Sequence, residues 1–222
     1  MTLSAIKIET APHPKVSVIW MHGLGADGSD FVPIVKELDL TGCPAIRFVF
    51  PNAPQIPVSV NGGYVMPAWY DIRAADLLIR EDEVGLRASQ AAIEELIEIE
   101  KSAGAEKIIL AGFSQGCAMA LQTGLRTAIP LSGLLCLSGY LPLHQVVGQE
   151  RNPVNQNVPI FLAHGRSDPV ILLLRATQSR DALISMGYHV EWHEYAMQHT
   201  VSMEEIADMG SWFRRVLKNV GA

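Results

Sequence analysis

Short apolar runs alternate with longer amphipathic segments along the chain. The runs are bounded by Gly, Pro or Asn, which is typical of buried strands. The pattern predicts six strands, at residues 15–21, 45–50, 107–111, 134–138, 159–163 and 189–195. The amphipathic segments predict helices at residues 84–99, 114–126 and 171–186. A capping box formed by Ser202 and Glu205 predicts the start of a last helix.

Strands that alternate with helices favour a mostly parallel sheet with helices on both faces. Such a sheet is buried on both sides, and 49% hydrophobic residues are enough to cover it. We therefore expect a single α/β domain over residues 1–222. The apolar stripe of its first long helix is expected to contain Val84, Leu96 and Ile99. Ligands bind such sheets beyond the carboxyl ends of the strands, so candidate residues are sought directly after each strand.

The charge pattern and the cysteines exclude several classes of protein. The net charge is −6 without a block of lysines or arginines, so no nucleic-acid partner is expected. No apolar run approaches the ~20 residues of a membrane span, and residues 1–9 lack the features of a signal peptide. Three widely spaced cysteines, Cys43, Cys117 and Cys136, favour reduced, buried thiols in a cytoplasmic protein without a metal site.

The segment Gly112-Phe113-Ser114-Gln115-Gly116 carries the candidate nucleophile. It follows the third predicted strand and opens a helix rich in small residues. A serine on such a tight turn is strained and exposes its hydroxyl, and flanking glycines avoid clashes. The position between strand and helix distinguishes this serine from one in an ordinary glycine-rich turn. Ser114 is therefore predicted to be a nucleophile.

A serine nucleophile needs a base, and the base needs an orienting carboxylate. On this fold the three residues are expected in the order Ser, Asp or Glu, His, with the last two each placed after a later strand. Asp168 follows the fifth predicted strand and His199 follows the sixth. The other candidates stand in the wrong order, inside a strand or helix, or in unmatched loops: His13, His144, His164, His189, His193, Asp181 and Asp208.

Two backbone N–H groups are expected to bind the oxyanion that forms when a carbonyl is attacked. One belongs to Gln115, the residue after the nucleophile. The other is expected in the loop after the first strand, at Leu24 within His22-Gly23-Leu24-Gly25. The side chain of Leu24 is then free to line a substrate pocket.

Taken together, these stretches resemble the small carboxylesterases and acyl-protein thioesterases, the phospholipase/carboxylesterase family. The resemblance runs from about residue 15 to residue 215. It includes four further motifs: Ala26-Asp27-Gly28-Ser29-Asp30-Phe31, Pro51-Asn52-Ala53-Pro54, Asn61-Gly62-Gly63 and Ala68-Trp69-Tyr70-Asp71.

The resemblance implies an α/β-hydrolase without a large lid that cleaves carboxylic esters or thioesters through an acyl-serine and needs no cofactor. It implies the same roles for Ser114, Asp168, His199, Leu24 and Gln115. It places Met66 and Trp69 beside an apolar acyl groove, and it implies homodimers for many members. The substrate would be a small acyl ester or thioester, a lysophospholipid or an acylated protein.

Two departures from the family pattern stand near the site. Cys117 replaces a glycine after Ser114-Gln115-Gly116 and is expected to be a buried, inert thiol. The run Pro169-Val170-Ile171-Leu172-Leu173-Leu174 is unusually apolar, so Leu172 is a candidate for the acyl wall, with ordinary helix core as the alternative. Alternatives for the activity are a lysophospholipase, a dienelactone-hydrolase-like enzyme, or a non-catalytic binding protein of the same fold.

Overall fold

The computed structural model describes residues 3–74 and 80–218. Nine strands are formed in this part of the chain: β1 (Ala5–Glu9), β2 (Val16–Met21), β3 (Ile46–Pro51), β4 (Gln55–Val58), β5 (Tyr64–Pro67), β6 (Lys107–Phe113), β7 (Gly133–Leu137), β8 (Ile160–Gly165) and β9 (Val190–Tyr195). Six α-helices accompany them: α1 (Ile34–Glu37), α2 (Glu83–Ser102), α3 (Gln115–Arg126), α4 (His144–Glu150), α5 (Leu173–Ser185) and α6 (Met203–Leu217).

Seven of the strands form one sheet in the order β1-β3-β2-β6-β7-β8-β9. All neighbours pair in parallel except β1, which is antiparallel to β3. Successive side chains of a strand point to opposite faces. On β2, Trp20 therefore packs with α1 and α6, whereas Ile19 packs with α2, α3 and α5. The predicted parallel sheet with helices on both faces is confirmed, and its six predicted strands are the six parallel ones.

The edge strand β1 and the β4–β5 hairpin were not predicted from the sequence. β1 is half exposed and lies against only one neighbour, β3. The hairpin contains Pro57 and Pro67, which interrupt the pattern that normally indicates a strand. The hairpin leads directly into the segment 68–70, which lies beside Ser114.

Helix α2 buries a face that overlaps only in part with the predicted stripe, since Leu96 is buried as predicted. Val84 is 79% exposed, so its predicted place in the buried stripe is wrong. The buried face instead includes Leu86, Ile93 and two polar residues, Ser89 and Glu100. Leu86, Ile93, Leu96 and Ile97 recur at helical spacing on this face, so apolar periodicity does indicate it once the first turn and the alanines are left out.

The buried carboxylate of Glu100 ties α2 to three strands. It accepts hydrogen bonds from Lys7 Nζ at 2.7 Å, Ser17 Oγ at 3.0 Å and Arg47 at 3.1 Å. Burial raises the pKa of Glu100, but its partners, Lys7 foremost, outweigh burial and leave the pKa below its usual value. These bonds join β1, β2 and β3 across one helix, which explains why a short edge strand is held in place.

Helix α6 begins with only half of the predicted capping box. The hydroxyl of Ser202 accepts a hydrogen bond from Glu205 N at 3.1 Å, as expected for the N-cap. The carboxyl of Glu205 does not return to Ser202. It is fully buried, and neither oxygen has a partner among the described residues. Burial raises its pKa to about 8, so the group is protonated near neutral pH.

This buried carboxyl predicts a pH-dependent stability. The pKa of Glu205 is raised from 4.5 to about 8 on folding. The carboxyl therefore loses its proton at a lower pH in the unfolded chain than in the folded protein. The free energy of unfolding contributed by Glu205 is therefore fully present below pH 4.5 and is lost as the pH rises to about 8. Glu205→Gln should remove this loss and stabilise the protein at pH 9 relative to wild type by a few kcal/mol.

Urea unfolding at pH 5, 7 and 9 measures the effect, with Glu204→Gln on the exposed side of the same turn as the matched control. The difference between Glu205→Gln and wild type should grow with pH, while the control should follow wild type. If the free energies of unfolding of all three proteins changed with pH in the same way, this result would contradict a buried, protonated Glu205.

Candidate active site

Ser114 lies on a strained turn between β6 and α3. Its backbone has φ 57° and ψ −116°, a conformation that few residues other than glycine adopt. The turn requires glycines because the chain passes very close to itself. A Cβ on Gly112 would lie 2.1 Å from the carbonyl oxygen of Gly116, and one on Gly116 would lie 2.0 Å from that of Met21. The sequence pattern therefore folds into the sharp turn that it predicted.

Ser114, His199 and Asp168 are joined in one line of hydrogen bonds. Nε2 of His199 is 3.0 Å from Ser114 Oγ, and Nδ1 of His199 is 2.7 Å from Asp168 Oδ2. An ionised Asp168 only accepts, so Nδ1 carries the proton and Nε2 presents its lone pair to the serine hydroxyl. The ring of Phe113 packs against His199 with centroids 4.7 Å apart and limits its rotation. This arrangement allows His199 to take a proton from Ser114.

Asp168 is held in its charged form although it is buried. Burial raises its pKa, but hydrogen bonds from His199 and from the N–H groups of Ile171 and Val170 outweigh burial and leave the pKa below its usual value. The two backbone bonds end on Oδ1 at 2.9 and 2.8 Å, so Oδ2 is free for His199. The carboxylate therefore has one oxygen for the loop and one for the imidazole.

His164 lies beneath this loop and cannot act as the base. It is fully buried, and its Nε2 is 2.7 Å from the carbonyl oxygen of Ile171. A carbonyl only accepts, so Nε2 carries the proton, and Nδ1 has no partner among the described residues. Burial lowers the pKa of His164 and keeps it neutral. Its position supports the order-based choice of His199.

The two predicted oxyanion donors lie on either side of Ser114. Gln115 is the first residue of α3, so its N–H has no partner within the helix. Leu24 lies in the loop after β2, and this loop approaches the serine closely, since a Cβ on Gly23 would lie 3.4 Å from Ser114 Cβ. Gly25 then turns the chain with φ 77° and donates to Pro67 O at 2.8 Å. The N–H of Leu24 has no backbone acceptor in the described part of the chain.

A buried network links these two donors to each other. The side chain of Gln115 accepts from Trp69 N at 3.0 Å and donates to Tyr70 O at 2.8 Å. Nε1 of Trp69 donates to His22 O at 2.9 Å, and Ser89 Oγ donates to Trp69 O. Sequence reasoning missed this network, because its aromatic members cannot be told from substrate contacts by residue type alone.

His22 completes the network as a neutral ring. Its Nε2 accepts from Ala53 N at 3.0 Å, so Nδ1 carries the proton and donates to Gly23 O at 2.7 Å. Burial lowers the pKa of His22, which maintains this state. Both ring nitrogens thus anchor the start of the Gly23-Leu24 loop.

Trp69 is therefore expected to position the Leu24 loop. Trp69→Phe removes the N–H that holds His22 O. The N–H of Leu24 should then no longer point correctly at the oxyanion that develops in the transition state. We expect kcat for p-nitrophenyl butyrate to fall roughly 10- to 100-fold with KM nearly unchanged. Trp192→Phe, which removes an indole bonded to Glu194 on β9, is the matched control. A rise in KM without a change in kcat would assign Trp69 to substrate contact instead.

Ser114 opens into a cavity of about 610 Å³. The lining is mainly apolar and contains Leu24, Val60, Ile72, Phe113, Val170 and Ile171. Val60 and Val170 are themselves exposed, so the cavity opens to solvent on their side. Its size and apolar lining suit an acyl chain. Leu24 lines it, as expected.

The other three residues predicted to contact substrate do not line this cavity. Trp69 is buried within the network, and Leu172 is 60% exposed at the N-cap of α5. Met66 packs near Gly25, with its sulfur accepting from Asn61 Nδ2 at 3.4 Å. Contact of these three residues with a substrate stays a prediction, and Val170 and Ile171 contribute the part of the apolar run that reaches the cavity.

The three cysteines take no part in the proposed chemistry at Ser114. Cys117 and Cys136 are buried, and burial raises the pKa of Cys136, as is usual for unreactive thiols. Cys117 packs against Gly139 under the turn, as expected from its position. Cys43 is partly exposed, so its predicted burial is wrong.

Within residues 3–74 and 80–218, no three His, Cys, Asp or Glu side chains group as metal ligands would, and no helix has the length and apolarity to cross a membrane.

The sheet order, the turn at Ser114 and its three linked side chains define an α/β-hydrolase of the serine type. A family model described as Phospholipase/Carboxylesterase matches residues 2–217. The chain therefore belongs to the phospholipase/carboxylesterase family and is a hydrolase of esters.

Curated relatives and solved structures agree with this assignment. The chain is 38% identical over 221 residues to acyl-protein thioesterase 1 of Yarrowia lipolytica, covering 96% of this chain and 97% of the relative. It is 34% identical to acyl-protein thioesterase 1 of Saccharomyces cerevisiae, covering 97% of each. The crystal structure of Zea mays acyl-protein thioesterase 2 superposes with a TM-score of 0.85 at 29% identity, over 96% of this chain and 99% of that one.

Proposed function

We propose that this protein hydrolyses acyl thioesters and esters through an acyl-serine intermediate on Ser114. The observation that carries this proposal is the line from Ser114 Oγ through His199 to Asp168, with contacts of 3.0 and 2.7 Å. These three side chains lie at the mouth of an apolar cavity, next to the N–H groups of Leu24 and Gln115, which have no backbone acceptor among the described residues. We further propose that one domain contains the whole of this activity.

The proposed reaction has two halves. Ser114 Oγ attacks the acyl carbonyl while His199 Nε2 takes the serine proton, and the N–H groups of Leu24 and Gln115 stabilise the oxyanion. The intermediate then collapses, and protonated His199 gives its proton to the departing thiol or alcohol. In the second half, water attacks the acyl-serine while His199 takes a proton from the water, and His199 then returns this proton to Ser114 Oγ as the carboxylic acid leaves. Asp168 orients His199 throughout.

An acylated protein is the substrate class that the relatives favour. The fungal relatives are named acyl-protein thioesterases. The cavity adds physical support, because it opens to solvent beside Val60 and Val170. A bulky leaving group can remain outside while the acyl chain occupies the apolar interior.

A panel of substrates with one acyl chain tests this proposal. It comprises an S-palmitoyl cysteine peptide, the matching O-palmitoyl serine peptide and palmitoyl lysophosphatidylcholine. We expect kcat/KM to be at least about 10-fold higher for the peptide thioester than for the lysophospholipid, because a thiol leaves more readily than an alkoxide. Turnover of the lysophospholipid alone would favour a lysophospholipase, and no turnover of any of them would favour a binding protein.

We also propose a cytoplasmic location and a homodimer. Three free cysteines suit a reducing compartment. Exposed apolar side chains beside the cavity mouth, such as Val170 and Leu172, are available for contact with a second copy. Light scattering of the purified protein at several concentrations distinguishes a dimer from a monomer.

A further inference from the structure

Two tyrosines form part of the buried wall of the Ser114 cavity. Tyr70 follows β5 and Tyr140 follows β7, and both line the cavity. They are only 2% and 3% exposed. Their hydroxyl oxygens are 2.9 Å apart, so the two groups share a hydrogen bond. The tyrosine pair therefore belongs to a lining that is otherwise mainly apolar away from Ser114.

The tyrosine pair retains unused hydrogen-bonding capacity. Two hydroxyls carry two protons, and their mutual bond uses one of them. No third side chain or backbone group in the described part of the chain bonds to either hydroxyl. Within residues 3–74 and 80–218, one O–H donor and several lone pairs are therefore left unpaired. An unpaired buried donor is unfavourable, and a ligand oxygen that accepts from it removes that cost.

The pair is held rigidly in place and stays neutral. The carbonyl of Tyr70 accepts from Gln115 Nε2 at 2.8 Å, and Leu141 N, next to Tyr140, donates to Ser179 Oγ at 2.8 Å. Burial raises the pKa of both phenols, so each keeps its proton at working pH. A preorganised hydroxyl discriminates between ligands because it cannot turn toward solvent.

The acyl part of the substrate, not the leaving group, is expected at the pair. The leaving group must depart to solvent, and the cavity opens beside Val60 and Val170. The acyl chain stays bound to Ser114 and can occupy the buried side, where Ile72, Ile171 and the tyrosine pair lie. The apolar residues contact methylene groups, and the tyrosine pair is available for an oxygen farther along the chain.

We propose that the Tyr70–Tyr140 pair selects acyl chains that carry an oxygen, as a hydroxyl, keto or ether group, over plain alkyl chains of equal length. This inference rests on the proposed hydrolysis at Ser114. It adds a preference that an apolar cavity alone would not have, since a site with an unpaired polar group favours the ligand that pairs it.

The test compares p-nitrophenyl esters of octanoic and decanoic acid with their keto derivatives, with the keto group moved along the chain. For at least one position, kcat/KM of the keto ester should exceed that of the plain ester by roughly 10-fold, as expected for one hydrogen bond. In Tyr70→Phe/Tyr140→Phe, this ratio should fall to about 1. Each single variant keeps one free hydroxyl and should retain part of the preference.

Tyr188→Phe is the matched control, because Tyr188 is a buried tyrosine that does not line the cavity. It should preserve the wild-type ratio. A ratio near 1 at every keto position in wild type, or a preference that survives in the double variant, would overturn the inference while leaving the hydrolase assignment intact. Absence of turnover of every ester, plain and keto, would instead overturn the proposed function. If the double variant does not fold, the ratio should still fall below the wild-type value in at least one single variant, and an unchanged ratio in both would overturn the inference.

Discussion

Ser114→Ala is expected to lower kcat for a p-nitrophenyl ester by a factor on the order of 10⁶. The serine hydroxyl is the atom that bonds to His199 Nε2 at 3.0 Å, and alanine offers nothing in its place. The two N–H groups beside it and the apolar cavity remain, so a small residual rate over water is expected. The free energy of unfolding should change by no more than about 1 kcal/mol, since only one hydroxyl is removed.

Ser185→Ala supplies the matched control, because Ser185 lies in α5 and its hydroxyl donates to Ala182 O within the same helix. Its activity should equal that of wild type. Activity of Ser114→Ala within tenfold of wild type, in protein purified free of host esterases, would contradict the assignment of the nucleophile.

Asp168→Asn is expected to lower kcat by about 10⁴ while leaving the fold intact. Oδ1 of Asp168 accepts two backbone N–H groups, so the amide oxygen of asparagine takes that position and its NH₂ group faces His199. The imidazole must then accept at Nδ1 and carry its proton on Nε2. A protonated Nε2 cannot take the proton of Ser114, so the base is lost although every residue is in place.

The same chemical change at Asp181 is the control, because Asp181 is exposed and pairs with Arg180 on the surface. Asp181→Asn should retain full kcat. A tenfold or smaller loss in Asp168→Asn would show that another carboxylate orients His199.

The parallel sheet and the three linked side chains were predictable because they depend on local sequence. Each parallel strand is a buried apolar run, and Ser114, Asp168 and His199 each follow such a run in an order that this fold requires. β1 was not predictable in the same way. It is held by ion pairs among Lys7, Glu100 and Arg47, which are far apart in the chain.

Two residues predicted to contact substrate, Trp69 and Leu172, do not line the cavity, and contacts outside their own segments explain their positions. The family resemblance places Trp69 beside an acyl groove, whereas its hydrogen-bond partners in the structure, Gln115 and His22, are separated from it in the chain by more than 40 residues. Leu172 was assigned to the wall because its neighbours are apolar. The carboxylate of Asp168 binds the N–H groups of Val170 and Ile171, and the resulting turn leaves Leu172 in solvent.

Labelling by a fluorophosphonate probe tests the central claim most directly, because such a probe reacts only with an activated serine. Wild-type protein should gain one adduct, located at Ser114 by mass spectrometry of its peptides. Asp168→Asn should react far more slowly, and Ser114→Ala should not react. An adduct on another residue, or no adduct on folded wild-type protein, would contradict the account of Ser114 as the nucleophile of this hydrolase.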